Sequence, residues 1–116
     1  MWRHRRGLRF LEPALLALLG EEETHGYELI ARLPELLGTD RVDVGNVYRA
    51  LRAMEERGLV TSTWRDDLPG PAKRSYAITA EGRRALERWG EWLREARNRI
   101  DELLRRLEEG GERART

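Results

Sequence analysis

Side chains that can contact nucleic acid lie close together between residues 46 and 52. Asn46, Arg49 and Arg52 are three residues apart, so a helix would place them on one face, with Tyr48 beside them. Amide and guanidinium groups form paired hydrogen bonds with base edges, and guanidinium groups also bind phosphates. The spacing therefore predicts a helix surface that contacts DNA through these four side chains.

The same segment has the pattern of an amphipathic helix. Asp43 is predicted to cap its start, because the carboxylate can accept a backbone N–H, and Gly58 suits a left-handed stop. An ordinary core helix with solvated arginines is the alternative to a DNA-contacting one. The apolar residues on the opposite face, spaced by three and four, are Val44, Val47, Leu51 and Met54.

A hairpin is predicted directly after this helix. Residues 60–65 and 73–78 alternate between apolar and polar side chains, and the segment 66–72 contains two prolines and a glycine. Lys73 and Arg74 are predicted to contact phosphate, the alternative being that they solubilise an edge strand. A helix with a polar face followed by such a hairpin, or wing, is typical of a winged helix-turn-helix.

Two helices are predicted before the DNA-contacting helix. The first runs from Pro13 to Leu19 and stops at Gly20. The second is capped by Thr24 and kinks or ends at Pro34. The side chains predicted to face inward from the second helix are Tyr27, Ile30, Ala31 and Leu33.

The C-terminal segment has the most regular pattern. After the predicted cap Thr79, apolar residues recur at alternating spacings of three and four, as in a dimerising coiled coil. A single exposed helix cannot bury this stripe, so we predict a homodimer. The residues of this dimer seam are Leu86, Trp89, Leu93, Ala96, Ile100, Leu103 and Leu107.

Together these elements predict a mostly α-helical fold with a small β-hairpin. Residues 1–79 would form a winged helix-turn-helix domain with a basic N-terminal arm, residues 80–109 the dimerisation helix, and residues 110–116 a disordered tail. The arm holds four arginines in its first nine residues. It either contacts DNA or forms a disordered tail.

Composition excludes several other classes of protein. Lys and Arg total 22 and Asp and Glu total 21, so the placement of charge, and not its sum, must attract DNA. The chain has no cysteine and two histidines, which argues against a metal site. No catalytic constellation is present, and the longest apolar run, residues 14–19, is too short to cross a membrane. We therefore predict a cytoplasmic protein that is not an enzyme and needs no metal or cofactor.

Several short motifs carry a family resemblance. They are His25-Gly-Tyr-Glu-Leu, Gly45-Asn-Val-Tyr-Arg-Ala-Leu, Leu51-x-x-Met-Glu-x-x-Gly-Leu-Val60, Trp64 and the segment 70–82. In this order and spacing they resemble the PadR family of bacterial transcriptional regulators. Family members usually carry threonine where Asn46 stands and proline where Arg49 stands. The single C-terminal helix is similar to that of the short subgroup, in which this helix builds the dimer.

The resemblance implies repression of a nearby operon, relieved by a planar aromatic or drug-like compound. In some short members the ligand pocket lies at the dimer centre, walled by tryptophans of the last helix. Two-fold symmetry would gather two copies of Trp89, Trp92 and Leu93 there, while Gly90 and Ala96 leave space. We therefore predict that the effector binds to Trp89, Trp92 and Leu93.

A winged domain that binds other proteins and has lost DNA binding is the competing interpretation. The balanced charge of residues 1–79, with 12 basic and 12 acidic side chains, permits it. A salt titration with mixed genomic DNA separates the two, because DNA association weakens steeply as salt rises.

Overall fold

The computed structural model describes residues 9–67 and 69–115, and the principal elements of this part of the chain are four helices and three strands. The predicted basic arm falls almost entirely on residues 1–8, outside the described residues. The structure confirms the predicted fold class, a mostly helical chain with a small sheet and one long C-terminal helix. The elements are α1 (Leu11–Glu21), β1 (Thr24–His25), α2 (Gly26–Leu37), α3 (Val44–Glu56), β2 (Val60–Arg65), β3 (Lys73–Ile78) and α4 (Ala80–Arg115).

The core of the winged domain is built from the first three helices. Each of them contributes leucine, valine or methionine side chains that are fully buried, and burial of one such side chain contributes about 1.5–3 kcal/mol. Val44 does not join this core, although the pattern places it on the apolar face, because it is the first residue of α3 and remains 49% exposed. The most completely buried side chains of these helices are Leu15, Leu16, Leu19, Leu29, Leu33, Val47, Leu51 and Met54.

The first helix is longer than predicted. It begins at Leu11 and continues through Gly20 to Glu21. Gly20 does not stop it, and a Cβ at this position would lie 3.2 Å from Cδ2 of Leu86. Gly20 therefore leaves space for the Leu86 side chain within the last turn of α1. Glycine was expected to end the helix at this position.

The start of α2 also differs from the prediction. Thr24 does not cap the helix but lies in β1, opposite Tyr76 of β3. The cap is His25, whose Nδ1 accepts a hydrogen bond from the Glu28 backbone N–H at 3.3 Å. A two-residue strand is too short to show alternation, so the sequence pattern contained no sign of β1.

The predictions of the inward face and of the end of α2 were also partly wrong. Tyr27 and Ala31 are exposed, and Leu29 is buried in their place beside the correctly predicted Leu33. The helix also passes through Pro34 to Leu37 and ends at Gly38, which has the left-handed φ of 69°. Proline removes only one donor in this last turn, and the buried side chain before it and the left-handed cap after it hold the turn in place.

The sheet has the strand order β1-β3-β2 and is antiparallel throughout. The predicted hairpin is confirmed, with Val60 opposite Ile78 and Trp64 opposite Arg74. Since directly opposed residues in an antiparallel pair share a face, this register fixes which wing side chains lie together.

Capping residues set the limits of α3 and the start of α4 as predicted. Asp43 Oδ1 accepts from the Asn46 backbone N–H at 3.1 Å, and Gly58 ends α3 with a φ of 77°. Thr79 Oγ1 accepts from the Gly82 backbone N–H at 2.9 Å. Gly82 is buried against the carbonyl group of Leu59, so the first turns of α4 pack within the winged domain.

Two compact units divide the chain at a later point than predicted. The first ends at Leu86 and the second begins at Glu87, where the sequence pattern placed the boundary after residue 79. The second unit consists of the rest of α4. Its helix continues to Arg115, so the predicted disordered tail is wrong for residues 110–115, and Thr116 lies outside the described residues. Just before this segment, Arg105 and Glu109 form an ion pair at 2.5 Å between residues four apart, a spacing that stabilises a helix.

The predicted dimer seam is largely exposed on the single chain. Ile100, Leu103 and Leu107 are 62%, 62% and 73% exposed, while Trp89 and Leu93 are half-buried. Most residues of α4 outside the predicted seam are charged, although Trp92 and Leu104 are also exposed, at 46% and 52%. No helix among residues 9–67 and 69–115 is both long and apolar enough to cross a membrane.

Candidate nucleic-acid interface

The predicted DNA-contacting side chains of α3 occupy its solvent-facing side. Asn46 is half-buried at the start of the helix, and Arg49 and Arg52 follow it at successive turns with exposed side chains. The guanidinium of Arg49 donates a hydrogen bond from Nη2 to Oδ1 of Asn46. The two side chains therefore form a contiguous polar surface on the first turns of the helix.

A concave surface of about 610 Å³ lies between α3 and the wing. Four of the six predicted DNA-binding residues line it, and they come from two separate elements of the fold. Three guanidinium groups thus converge around a concavity that also contains two carboxylates. The residues that line this surface include Tyr48, Arg49, Arg52, Glu55, Arg74 and Tyr76.

Arg74 is held by groups of α3 and β2. Its Nε donates to Ser62 Oγ at 2.9 Å, and its Nη2 lies 3.7 Å from a carboxylate oxygen of Glu55. Its guanidinium carbon also lies 5.8 Å from the centre of the Trp64 ring. Arg74 therefore connects the wing to α3, in addition to its position at the predicted DNA-contacting surface.

Glu55 was not singled out by sequence reasoning. Both of its carboxylate oxygens accept from Ser62 Oγ, at 2.9 and 3.0 Å, and one of them faces Arg74. Its position one step before Glu56 on a charged helix surface gave no sign of this role. Only the pairing of β2 with β3 brings its partners to it.

The second wing arginine, Arg65, is also paired with carboxylates. Its Nη1 donates to Glu23 at 2.8 Å and its Nη2 to Asp67 at 2.9 Å. The hydrogen bond from Arg65 lowers the pKa of Asp67 below its ordinary value. Among the basic residues of the wing, Arg65 thus stabilises the loop end of the hairpin and is a poor candidate for DNA contact.

Tyr48 has a structural role beside its predicted contact with DNA. Its side chain is 42% exposed, and a Cβ at Gly26 would lie 2.9 Å from its ring carbon Cε1. The glycine of the His25-Gly-Tyr motif thus leaves space for this ring. Tyr76 lies deeper in the same surface, where burial raises the pKa of its hydroxyl.

A second concavity, of about 540 Å³, adjoins the first on the wing side. It contains Lys73 together with Tyr48 and Arg74, so all of the predicted DNA-binding residues except Asn46 line one or other concavity. The sequence pattern did not group the aromatic residues of its wall, because β1 was not predicted. The pairing of β1 with β3 brings His25 and Tyr27 beside the wing. The remaining aromatic side chains in this wall are Trp64 and Tyr76.

The predicted effector residues belong to the second compact unit. The rings of Trp89 and Trp92 meet edge to face, with centroids 5.7 Å apart at an angle of 84°. Trp92 is 46% exposed and Leu93 is half-buried. The pair presents aromatic surface on a single helix, and the site remains a prediction.

Known proteins with similar sequences and folds are transcriptional regulators. The profile of the "Transcriptional regulator PadR-like family" matches residues 15–88. The probable transcriptional regulator Rv1176c of Mycobacterium tuberculosis is 36% identical over 80 residues, which are 68% of this chain and 42% of that protein. The chain thus spans about two fifths of the length of the curated relatives it matches, 42% of each.

Two solved structures extend this comparison. A PadR-like transcriptional regulator from Bacillus cereus is similar with a TM-score of 0.72 and 29% identity, covering 82% of this chain and 91% of that chain. The structure of Bacillus subtilis PadR in complex with operator DNA has a TM-score of 0.61 and 26% identity, covering 71% of this chain and 47% of that chain.

The family match and the winged architecture agree along the same residues. The profile begins within α1 and ends at residue 88 near the beginning of α4, two residues after the end of the first compact unit. Members of this family are regulators of transcription and not enzymes. The chain belongs to the PadR-like family of transcriptional regulators.

Proposed function

We propose that this protein represses transcription by binding a pseudo-palindromic operator as a homodimer in the cytoplasm. The observation that carries the proposal is the convergence of Arg49, Arg52 and Arg74 on one concave surface between α3 and the wing. A helix inserted into the major groove brings such a surface against the phosphates that border the groove. The relative solved with operator DNA, Bacillus subtilis PadR, supports this use of the fold.

The uncovered seam of α4 supports the homodimer. Three large apolar side chains of this seam are more than 60% exposed on the single chain, a contiguous surface that favours a partner helix. A second copy supplies the same stripe, which matches itself under two-fold symmetry. Two copies of α3 then enter successive major grooves about 34 Å apart.

A planar aromatic effector is part of the proposal. The edge-to-face pair Trp89 and Trp92, repeated by symmetry beside Leu93, would give a site with flat aromatic walls. Tryptophan fluorescence measured against a panel of planar aromatics tests it, repeated with the operator bound. Quenching that leaves DNA affinity unchanged would remove the regulatory role, since an effector acts only through different affinities for two states.

Selection of bound fragments from random DNA tests DNA binding itself. The purified full chain should enrich a site with two-fold symmetry, and its affinity should fall steeply as salt rises. Failure to enrich any sequence, with weak association at every salt concentration, would contradict DNA binding and favour a winged domain that binds proteins.

Replacing Arg49 by alanine should weaken operator binding by about 1–3 kcal/mol and relax the preference for one base, because a bidentate guanidinium contact is lost. Affinities for the selected site and for random DNA, measured at one salt concentration, provide the test. An equal loss on both DNAs would show that Arg49 contacts only the backbone.

Replacing Lys73 by alanine should weaken binding to all sequences alike and reduce the salt slope by about one. Its position on the wing favours a phosphate contact, which carries no sequence information. Arg84→Ala is the matched control, because this substitution also removes one positive charge. Arg84 lies on α4, where it pairs with Glu81 at 2.7 Å. A salt slope unchanged by Lys73→Ala, or changed equally by the control, would remove Lys73 from the interface.

A further inference from the structure

Asn46 and Arg49 are joined to each other at the start of α3. They lie one helical turn apart, and Nη2 of Arg49 donates to Oδ1 of Asn46. Long side chains in helices lean toward the N-terminus, which brings the guanidinium back over the preceding turn. The two groups most suited to contacting bases are therefore in contact before any DNA is bound.

The neighbouring residues keep this pair in place. A Cβ at Gly45 would lie 3.3 Å from Nη1 of Arg49 and 3.2 Å from Oδ1 of Asp43. Glycine thus leaves the space that the guanidinium uses. The same Asp43 oxygen accepts from the Asn46 backbone N–H, which fixes the backbone from which the amide extends.

This contact decides which hydrogen bonds the pair offers to a base. Asparagine contacts adenine by accepting from the N6 amino group while donating to N7. In this pair the amide oxygen already accepts from a cation, and a second donor approaching it would meet the remaining N–H groups of Arg49. The pair therefore offers donors outward, from the Asn46 amide nitrogen and from the guanidinium.

We infer that Asn46 and Arg49 act as one base-reading group that selects guanine, and that Asn46 does not read adenine. Guanine is the base that presents two neighbouring acceptors, O6 and N7, in the major groove. Adenine and cytosine each place an amino donor there, which opposes the donors of the pair. In this arrangement Arg49 contacts the base and Asn46 is its positioning residue. The inference rests on the proposed binding to DNA. It adds that guanine is the base selected and that Asn46 and Arg49 act together in selecting it.

The experiment compares fragments selected from random DNA by the wild type, Asn46→Ala, Arg49→Ala and the double variant. The wild type should prefer guanine over adenine at one position of each half-site by at least about fivefold, the lower end for a bidentate contact. Both single variants should lose the preference at that same position. The double variant should lose no more affinity than Arg49→Ala alone, because residues in one hydrogen-bonded unit are not additive.

Arg84→Ala is the matched control, since it removes an exposed guanidinium from α4, outside both concave surfaces, and should leave the guanine preference intact. Circular dichroism confirms that each variant is folded. The inference would be overturned if the wild type selected adenine at the position whose preference is lost in Asn46→Ala. It would also be overturned if the two single variants lost base preference at different positions and their losses of affinity were additive. Either result would leave the proposed DNA binding intact. Absence of any enriched site for the wild type would overturn the proposed function, and the inference with it.

Discussion

Replacing Ile100 by aspartate is expected to convert the proposed homodimer into monomers at micromolar concentration. Ile100 lies in the middle of the seam and is 62% exposed on the single chain, so a partner helix must cover it for the seam to be buried. An aspartate there would have to lose its hydration without a cationic partner, which costs several kcal/mol. Sedimentation of the wild type and the variant at equal concentrations measures the change.

The control for this change is Asn98→Asp, which introduces the same charge two residues earlier. Two residues turn the helix by about 200°, so Asn98 lies on the face opposite the seam. This variant should sediment like the wild type and bind DNA as well. A wild type that is monomeric at micromolar concentration, or a dimer that survives Ile100→Asp, would contradict the proposed dimer seam.

Dissociation should also reduce operator affinity, because the two copies of α3 then bind independently. Each half-site would be bound with the affinity of one winged domain, and the advantage of linked binding would be lost. Binding of the Ile100→Asp variant to a single half-site should match that of the wild type. This comparison separates loss of the dimer from damage to the winged domain.

Replacing Gly82 by alanine is expected to destabilise the winged domain by about 2–3 kcal/mol. A Cβ at this position would overlap the carbonyl oxygen of Leu59 and lie 2.7 Å from Cγ1 of Ile78. That carbonyl is fixed, since it accepts from the Thr79 backbone N–H at 3.0 Å and from Thr79 Oγ1 at 3.0 Å. A backbone group held in this way cannot move aside as a flexible side chain would.

The sign of this effect distinguishes packing from helix propensity. Alanine is favoured over glycine inside a helix by about 1 kcal/mol, so propensity alone predicts stabilisation. Gly110→Ala makes the same substitution in the same helix at a site with nothing within 4 Å of the added Cβ. Urea unfolding at one protein concentration should show the two variants shifting in opposite directions. A Gly82→Ala variant as stable as the wild type would show that the α4 packing described here is wrong.

Much of the structure of α3 followed from local rules in the sequence. The apolar stripe of α3, its cap Asp43 and its left-handed stop at Gly58 depend on residues within one or two turns of each other. The order of helix, hairpin and long helix was likewise readable, since each has its own periodicity. The positions of Arg49 and Arg52 on one face needed nothing more than this spacing.

Contacts between distant segments decided what local rules predicted wrongly. Thr24 became part of a strand because β3 supplies a partner 52 residues later, at Tyr76. Gly20 stays inside α1 because Leu86 needs the space beside it. In both cases the residue type favoured one local structure, and packing against a segment far along the chain outweighed a preference of about 1 kcal/mol or less.

The same distinction holds for the interface. Periodicity alone predicted that Asn46, Arg49 and Arg52 lie on the solvent-facing side of α3, and the alternation of β3 placed Lys73 and Arg74 at the wing. The packing of the wing against α3 was needed to bring Glu55 and Ser62 to Arg74, since these three residues come from three different elements. Periodicity fixes the direction of a side chain from its own element. The partner that it meets depends on how two elements pack and on the rotamer that this packing selects.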